Sequence, residues 1–69
     1  MKTCEIVAKA LAKLHETMHF EDEFAMIMEM LKILQVECGL EYKTAKFVLN
    51  DEDFVPETLD AFYALTGAK

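Results

Sequence analysis

The chain has 69 residues and a formal net charge of −6, from thirteen acidic and seven basic residues. This balance disfavours generic binding to nucleic acid or to an anionic membrane, because both need a cationic surface. The length allows one domain, residues 1–69. No apolar run reaches the roughly 18 residues that span a bilayer. We therefore expect a cytoplasmic protein with no membrane segment and no cofactor.

The chain is rich in apolar residues for its size. Hydrophobic residues make up 54% of it, including five methionines and five phenylalanines. A chain this short buries only about 60% of the surface that it exposes when unfolded. Part of the apolar surface should therefore stay outside the core of the monomer, where a partner chain could cover it.

Two stretches carry apolar residues at alternating steps of three and four, which is the stripe of an amphipathic helix. The helical phase is lost between His19 and Glu23, and Asp22 is well suited to cap a second helix. The sequence therefore predicts an antiparallel αα-hairpin over about 3–19 and 22–38. Folding the hairpin brings Cys4 and Cys38 to its open end, where we expect two free thiols. The stripes are Cys4, Val7, Leu11, Leu14 and Met18, then Phe24, Ile27, Leu31, Leu34 and Cys38.

The second half of the chain predicts two shorter helices. Gly39 is placed to end the second helix, and residues 40–50 have the pattern of a third. Pro56 lies in the first turn of a fourth helix that Gly67 ends. No segment has the pattern of a strand. The predicted fold class is all-α, a small bundle of three to four helices, with helices two and three packed in a helix-turn-helix manner as one arrangement.

The segment His15-Glu16-Thr17-Met18-His19 matches the H-E-x-x-H pattern of helical zinc sites. In that pattern two histidines one turn apart bind Zn²⁺, and the glutamate activates the bound water. A zinc site also needs a third protein ligand, which no downstream motif supplies. We interpret His15 and His19 as flank residues near the hairpin turn, with a zinc-binding protein as the second alternative function.

The segment CGLEYKTAKFVLND resembles the turn and recognition helix of helix-turn-helix repressors, notably the lac repressor type. The resemblance covers about a dozen residues and implies that Tyr42, Lys43 and Lys46 face the major groove. Glu41 stands where the family has a capping serine, and the chain contains no arginine. A helix-turn-helix DNA-binding regulator using Lys43 and Lys46 is therefore the first alternative function.

Helix two is apolar around most of its circumference, since Met26, Met30 and Ile33 form another stripe beside the first. We predict that this stripe, together with Phe62 and Tyr63 of helix four, is the contact surface for a partner. Methionine suits such a surface because it repacks around varied partners.

Two acidic runs complete the set of predicted site residues, and we expect them to steer association with a basic partner surface. The sequence favours a small, acidic, non-enzymatic interaction module that forms a homodimer and binds another protein. A phage or mobile-element inhibitor of a host protein is the more specific hypothesis. The runs are Glu21, Asp22 and Glu23, and Asp51, Glu52 and Asp53.

Overall fold

A computed structural model of the protein describes residues 2–67, which form four helices and, within that range, no strand. The predicted all-α class is confirmed. The helices are α1 (Thr3–His15), α2 (Glu23–Val36), α3 (Tyr42–Leu49) and α4 (Phe54–Thr66).

The helix ends follow the signals in the sequence. The carboxylate of Asp22 accepts a hydrogen bond of 2.9 Å from the backbone N–H of Ala25, which caps α2. Gly39 follows α2 with a φ of 68°, and Gly67 follows α4 with a φ of 66°. Side chains disfavour this left-handed conformation, so glycine suits both positions. The predicted cap at Asp22 and the predicted stops at both glycines are confirmed.

The first helix is shorter than predicted. It ends at His15, and the backbone N–H groups of Thr17 and Met18 both donate to the carbonyl of Leu14. The predicted extension to residue 19 is wrong, because Met18 is exposed and gains no packing that would stabilise another turn.

The core lies where α1 meets the other helices. α1 makes its most extensive contact with α4 and a smaller one with α2, while α2 packs against α3. The sequence paired α1 with α2 alone, and so did not anticipate α4 as the main neighbour of α1. The buried apolar residues are Cys4, Val7, Ala8, Leu11, Met26, Met30, Ile33, Leu34, Ala45, Phe54, Leu59 and Phe62.

Thr58 is the one buried polar residue in the part of the chain that the structure describes. Its hydroxyl has no hydrogen-bond partner there. A buried hydroxyl without a partner costs about 1–3 kcal/mol in stability. Thr58 therefore contributes to the core by its shape and not by its hydroxyl.

Candidate functional site

The structure buries most of the contact surface that the sequence predicts. Met30 is 0% exposed, and Met26, Ile33 and Phe62 are also buried, while Tyr63 is half-buried. A side chain that already packs in the core of its own chain cannot cover a partner's surface as well. The prediction that Met26, Met30, Ile33 and Phe62 form an exposed contact surface is therefore wrong.

The stripe of α2 that was predicted to be outside is buried, and the predicted inner stripe is exposed at its first residue, Phe24. The sequence placed the stripe from Phe24 to Leu34 inside, and the stripe of Met26, Met30 and Ile33 outside. In the structure the second stripe and Leu34 face the core, and Phe24 is exposed. Both stripes are apolar, so hydrophobic periodicity alone could not rank them.

The charged residues of α2 are the signal that could have ranked its faces. At 100° per residue, Lys32 projects about 40° from the direction of Met28 and about 160° from that of Met30. The sector that holds Met26 and Met30 contains no charge within the body of the helix. A charge seldom lies in a core unless it is paired, so the uncharged sector is the inner one.

The outer face of α2, defined here as Phe24, Met28, Lys32 and Val36, is a row with one residue at every fourth position. Phe24 is 69% exposed, Met28 45% and Val36 79%. Ile27 lies between Phe24 and Met28 in the chain and is partly exposed as well. Contiguous exposed apolar surface of this kind marks interaction sites in soluble proteins.

The outer face of α2 is electrically balanced. The ammonium of Lys32 lies 3.6 Å from the carboxylate of Glu29, one turn back along the helix. This surface pair contributes little to stability. It does leave the middle of the outer face without net charge in a chain whose formal charge is −6.

Both predicted acidic runs are exposed, and each supplies one carboxylate to local structure. Asp22 caps α2, and the carboxylate of Asp51 accepts a 2.9 Å hydrogen bond from the backbone N–H of Asp53. The remaining acidic side chains of both runs, those of Glu21, Glu23, Glu52 and Asp53, lie in solvent. The runs thus surround the ends of two helices with negative charge.

The H-E-x-x-H segment does not form the helical geometry of a zinc site. His15 is the last residue of α1, and His19 lies in the connection that follows. The imidazole of His15 instead stacks on Phe20, with ring centroids 6.2 Å apart, and meets the Phe62 ring edge-on at 5.5 Å. Within residues 2–67, no group of three or more His, Cys, Asp or Glu side chains is arranged to hold a metal ion.

The outer side of α3 carries the residues that the helix-turn-helix resemblance assigns to the major groove. Tyr42, Lys43 and Lys46 are all exposed, and the Lys46 ammonium lies 5.5 Å from the centre of the Tyr42 ring. Phe47 on the same helix is 79% exposed. Two lysines supply few of the phosphate contacts that carry affinity for DNA.

Both cysteines are free thiols. Cys4 is buried, with its sulfur 4.0 Å from a carboxylate oxygen of Glu57 on α4. Cys38 is half-buried just beyond the end of α2. Neither thiol lies beside a histidine in sequence, and the site that the geometry favours is the outer face of α2.

Comparison with known protein families, with curated proteins and with solved structures found no match to this chain. None of the helices within residues 2–67 combines the length and the apolar character needed to cross a bilayer.

Proposed function

We propose that the chain is a small, acidic, non-enzymatic protein–protein interaction module that forms a homodimer through the outer face of α2. The observation that carries the proposal is the exposure of Phe24, Met28 and Val36 along one side of one helix. Burying a side chain of this kind contributes about 1.5–3 kcal/mol. A partner that covers all three gains a substantial driving force for association.

Charge favours a second copy that packs antiparallel to the first. Two chains of charge −6 repel each other. The electrostatic repulsion between them is smallest where they meet through a surface without net charge, such as the middle of the outer face of α2. A parallel pair of α2 helices would bring Glu21, Asp22 and Glu23 of both copies together. An antiparallel pair separates these runs and aligns the helix dipoles favourably. Such a pair is also isologous, as twofold homodimers are.

Phe24→Asp tests the proposed interface. We expect the wild type to be a dimer and the variant to be a folded monomer, because an aspartate buried against an apolar partner face loses its hydration. Sedimentation equilibrium at several protein concentrations measures the subunit count, and far-ultraviolet circular dichroism checks that the helices remain.

Phe47→Asp is the matched control, since Phe47 is at least as exposed as Phe24 but lies on α3. We expect this variant to dimerise like the wild type. Equal loss of dimer in both variants, or a wild type that is monomeric at every concentration, would contradict the proposed interface.

The more specific proposal is a phage or mobile-element inhibitor that binds a host protein with a basic surface. The exposed carboxylates at 21–23 and 51–53 support it. A small acidic protein can occupy a nucleic-acid site by placing carboxylates where phosphates would lie. In this arrangement the acidic runs speed association by steering the partner, and apolar contacts hold the complex.

A helix-turn-helix DNA-binding function is the second candidate, favoured by the exposure of Tyr42, Lys43 and Lys46 on α3. If this candidate is correct, we expect DNA binding that weakens steeply as the salt concentration rises and that is lost in Lys43→Glu. Fluorescence anisotropy with labelled duplex DNA at 50 and 200 mM salt, the range over which phosphate contacts are weakened, measures this. Binding that is absent in the wild type at low salt would remove this candidate.

A further inference from the structure

A second surface, separate from the outer face of α2, lies in a groove between α1 and α2. The groove has a volume of about 620 Å³. Its apolar surface comes from Ile6, Ala10 and Leu14 of α1, each partly exposed, while the buried Ile33 of α2 lies at its base. Ile33 belongs to the inner stripe of α2, so the groove and the outer face of α2 lie on different sides of that helix. One can therefore be occupied while the other is in a dimer interface.

Two lysines and two glutamates line this groove, so it lacks the net negative charge of the molecule as a whole. Lys9 and Lys13 both line it, one helical turn apart on α1. Within residues 2–67 neither lysine has a carboxylate within ion-pair distance, whereas Lys32 is paired with Glu29. Because Lys9 and Lys13 lack ion-pair partners among the described residues and lie beside an apolar floor, this end of the groove is complementary to a partner that brings carboxylates.

We propose that the groove between α1 and α2 binds an amphipathic helix of a partner protein, with carboxylates one turn apart that pair with Lys9 and Lys13. Helices bind in grooves by placing apolar side chains at i, i+3, i+4 and i+7 on the floor. Lys9 and Lys13 are separated by about 6 Å along α1, at 1.5 Å per residue. Carboxylates at i and i+4 of a partner helix have the same separation.

The rest of the groove makes the recognition directional. Glu16 continues the row of Lys9 and Lys13 by one more turn of α1, and Glu37 also lines the groove. A partner helix with two acidic positions followed by a basic one matches the row in one orientation, and places like charges together in the other. A second copy of α1 in antiparallel contact, with Lys9 opposite Glu16, would still set Lys13 against Lys13 and would bring together two chains of charge −6. The proposed occupant is therefore a different protein.

A synthetic helical peptide tests this proposal directly. The probe is an alanine-based peptide of about 18 residues, long enough to be helical in water, with leucines along one side and two glutamates at i and i+4 beside them. We expect the wild type to bind it, and Lys9→Glu/Lys13→Glu to weaken binding at least tenfold. Fluorescence anisotropy of the labelled peptide measures both. Added salt should also weaken binding to the wild type.

Three controls separate the groove from general charge effects. Lys43→Glu/Lys46→Glu changes the net charge by the same amount on α3, and should bind the peptide like the wild type. A peptide with lysines in place of the glutamates should bind at least tenfold more weakly than the acidic peptide. Phe24→Asp should bind the acidic peptide normally, because the groove does not depend on the outer face of α2.

The proposal is overturned by any of three results: no binding of the acidic peptide to the wild type, equal binding of both peptides, or equal loss in the two double variants. Loss of binding in Ile6→Asp would add support, because Ile6 lies in the groove and is only partly buried. Circular dichroism confirms that each variant is folded, and all the replaced lysines are exposed.

Discussion

Met30→Glu should leave the chain unfolded at room temperature. The Met30 side chain is 0% exposed, and it packs among the buried residues of α2 and its neighbours. Removing such a side chain costs about 2–5 kcal/mol, and a buried carboxylate without a partner adds several more. At about 0.05–0.15 kcal/mol per residue, a chain of 69 residues has a total stability of only about 3–10 kcal/mol.

Met28→Glu is the matched control, because it makes the same chemical change two residues away on the outer face of α2. Met28 is 45% exposed, so the new carboxylate stays hydrated and the helices should be retained. We expect this variant to be a folded monomer. Circular dichroism and urea titration of both variants measure the contrast. A folded Met30→Glu monomer would mean that Met30 faces a partner and not the core.

Phe62→Ala should produce the second-largest loss of stability. The Phe62 ring meets His15 and Tyr63 at centroid distances of 5.5 Å, and Phe20 at 6.3 Å, all edge-on. Truncating a buried phenylalanine costs about 3–5 kcal/mol. In a domain of this size that loss lowers the Tm by about 12 °C or more. Thermal unfolding followed by circular dichroism measures the shift.

Leu65→Ala is the control within the same helix. Leu65 is 54% exposed, so we expect a Tm close to that of the wild type. Because Phe62 links α4 to the aromatic side chains that follow α1, its loss should also free the connection that contains Phe20. An equal decrease in Tm in both variants would contradict the prediction that the buried Phe62 ring stabilises the fold more than the exposed Leu65 side chain does.

Met28 and Met30 of α2 show where sequence reasoning succeeds and where it fails. The spacing of apolar residues correctly predicted a helix over this segment, and Asp22 and Gly39 correctly marked its ends. The same spacing could not decide whether Met28 or Met30 faces the core, because both belong to apolar stripes. The position of Lys32, on the same side of α2 as Met28 and opposite Met30, carried the missing information.

The histidines show a different kind of error. A motif such as H-E-x-x-H assumes that its residues share one helix, yet α1 ends at His15. Whether a helix continues depends on what its next turn can pack against, and the exposed Met18 has little to pack on. The contact of His15 with Phe62 joins residues that are far apart in sequence, and no local pattern indicates it.

The sequence by itself determined the all-α fold class, a bundle of three to four helices, the cap at Asp22, the stops at Gly39 and Gly67, and the acidic charge. These are local properties, set by spacing, by conformational preference at single residues and by composition. Only the tertiary structure decided that α1 packs chiefly on α4, that the Met30 stripe is the inner one, and that Phe24, Met28 and Val36 remain outside. Those outcomes depend on which apolar surfaces of the whole chain fit together, since every apolar stripe gains by burial and the chain is too short to bury them all.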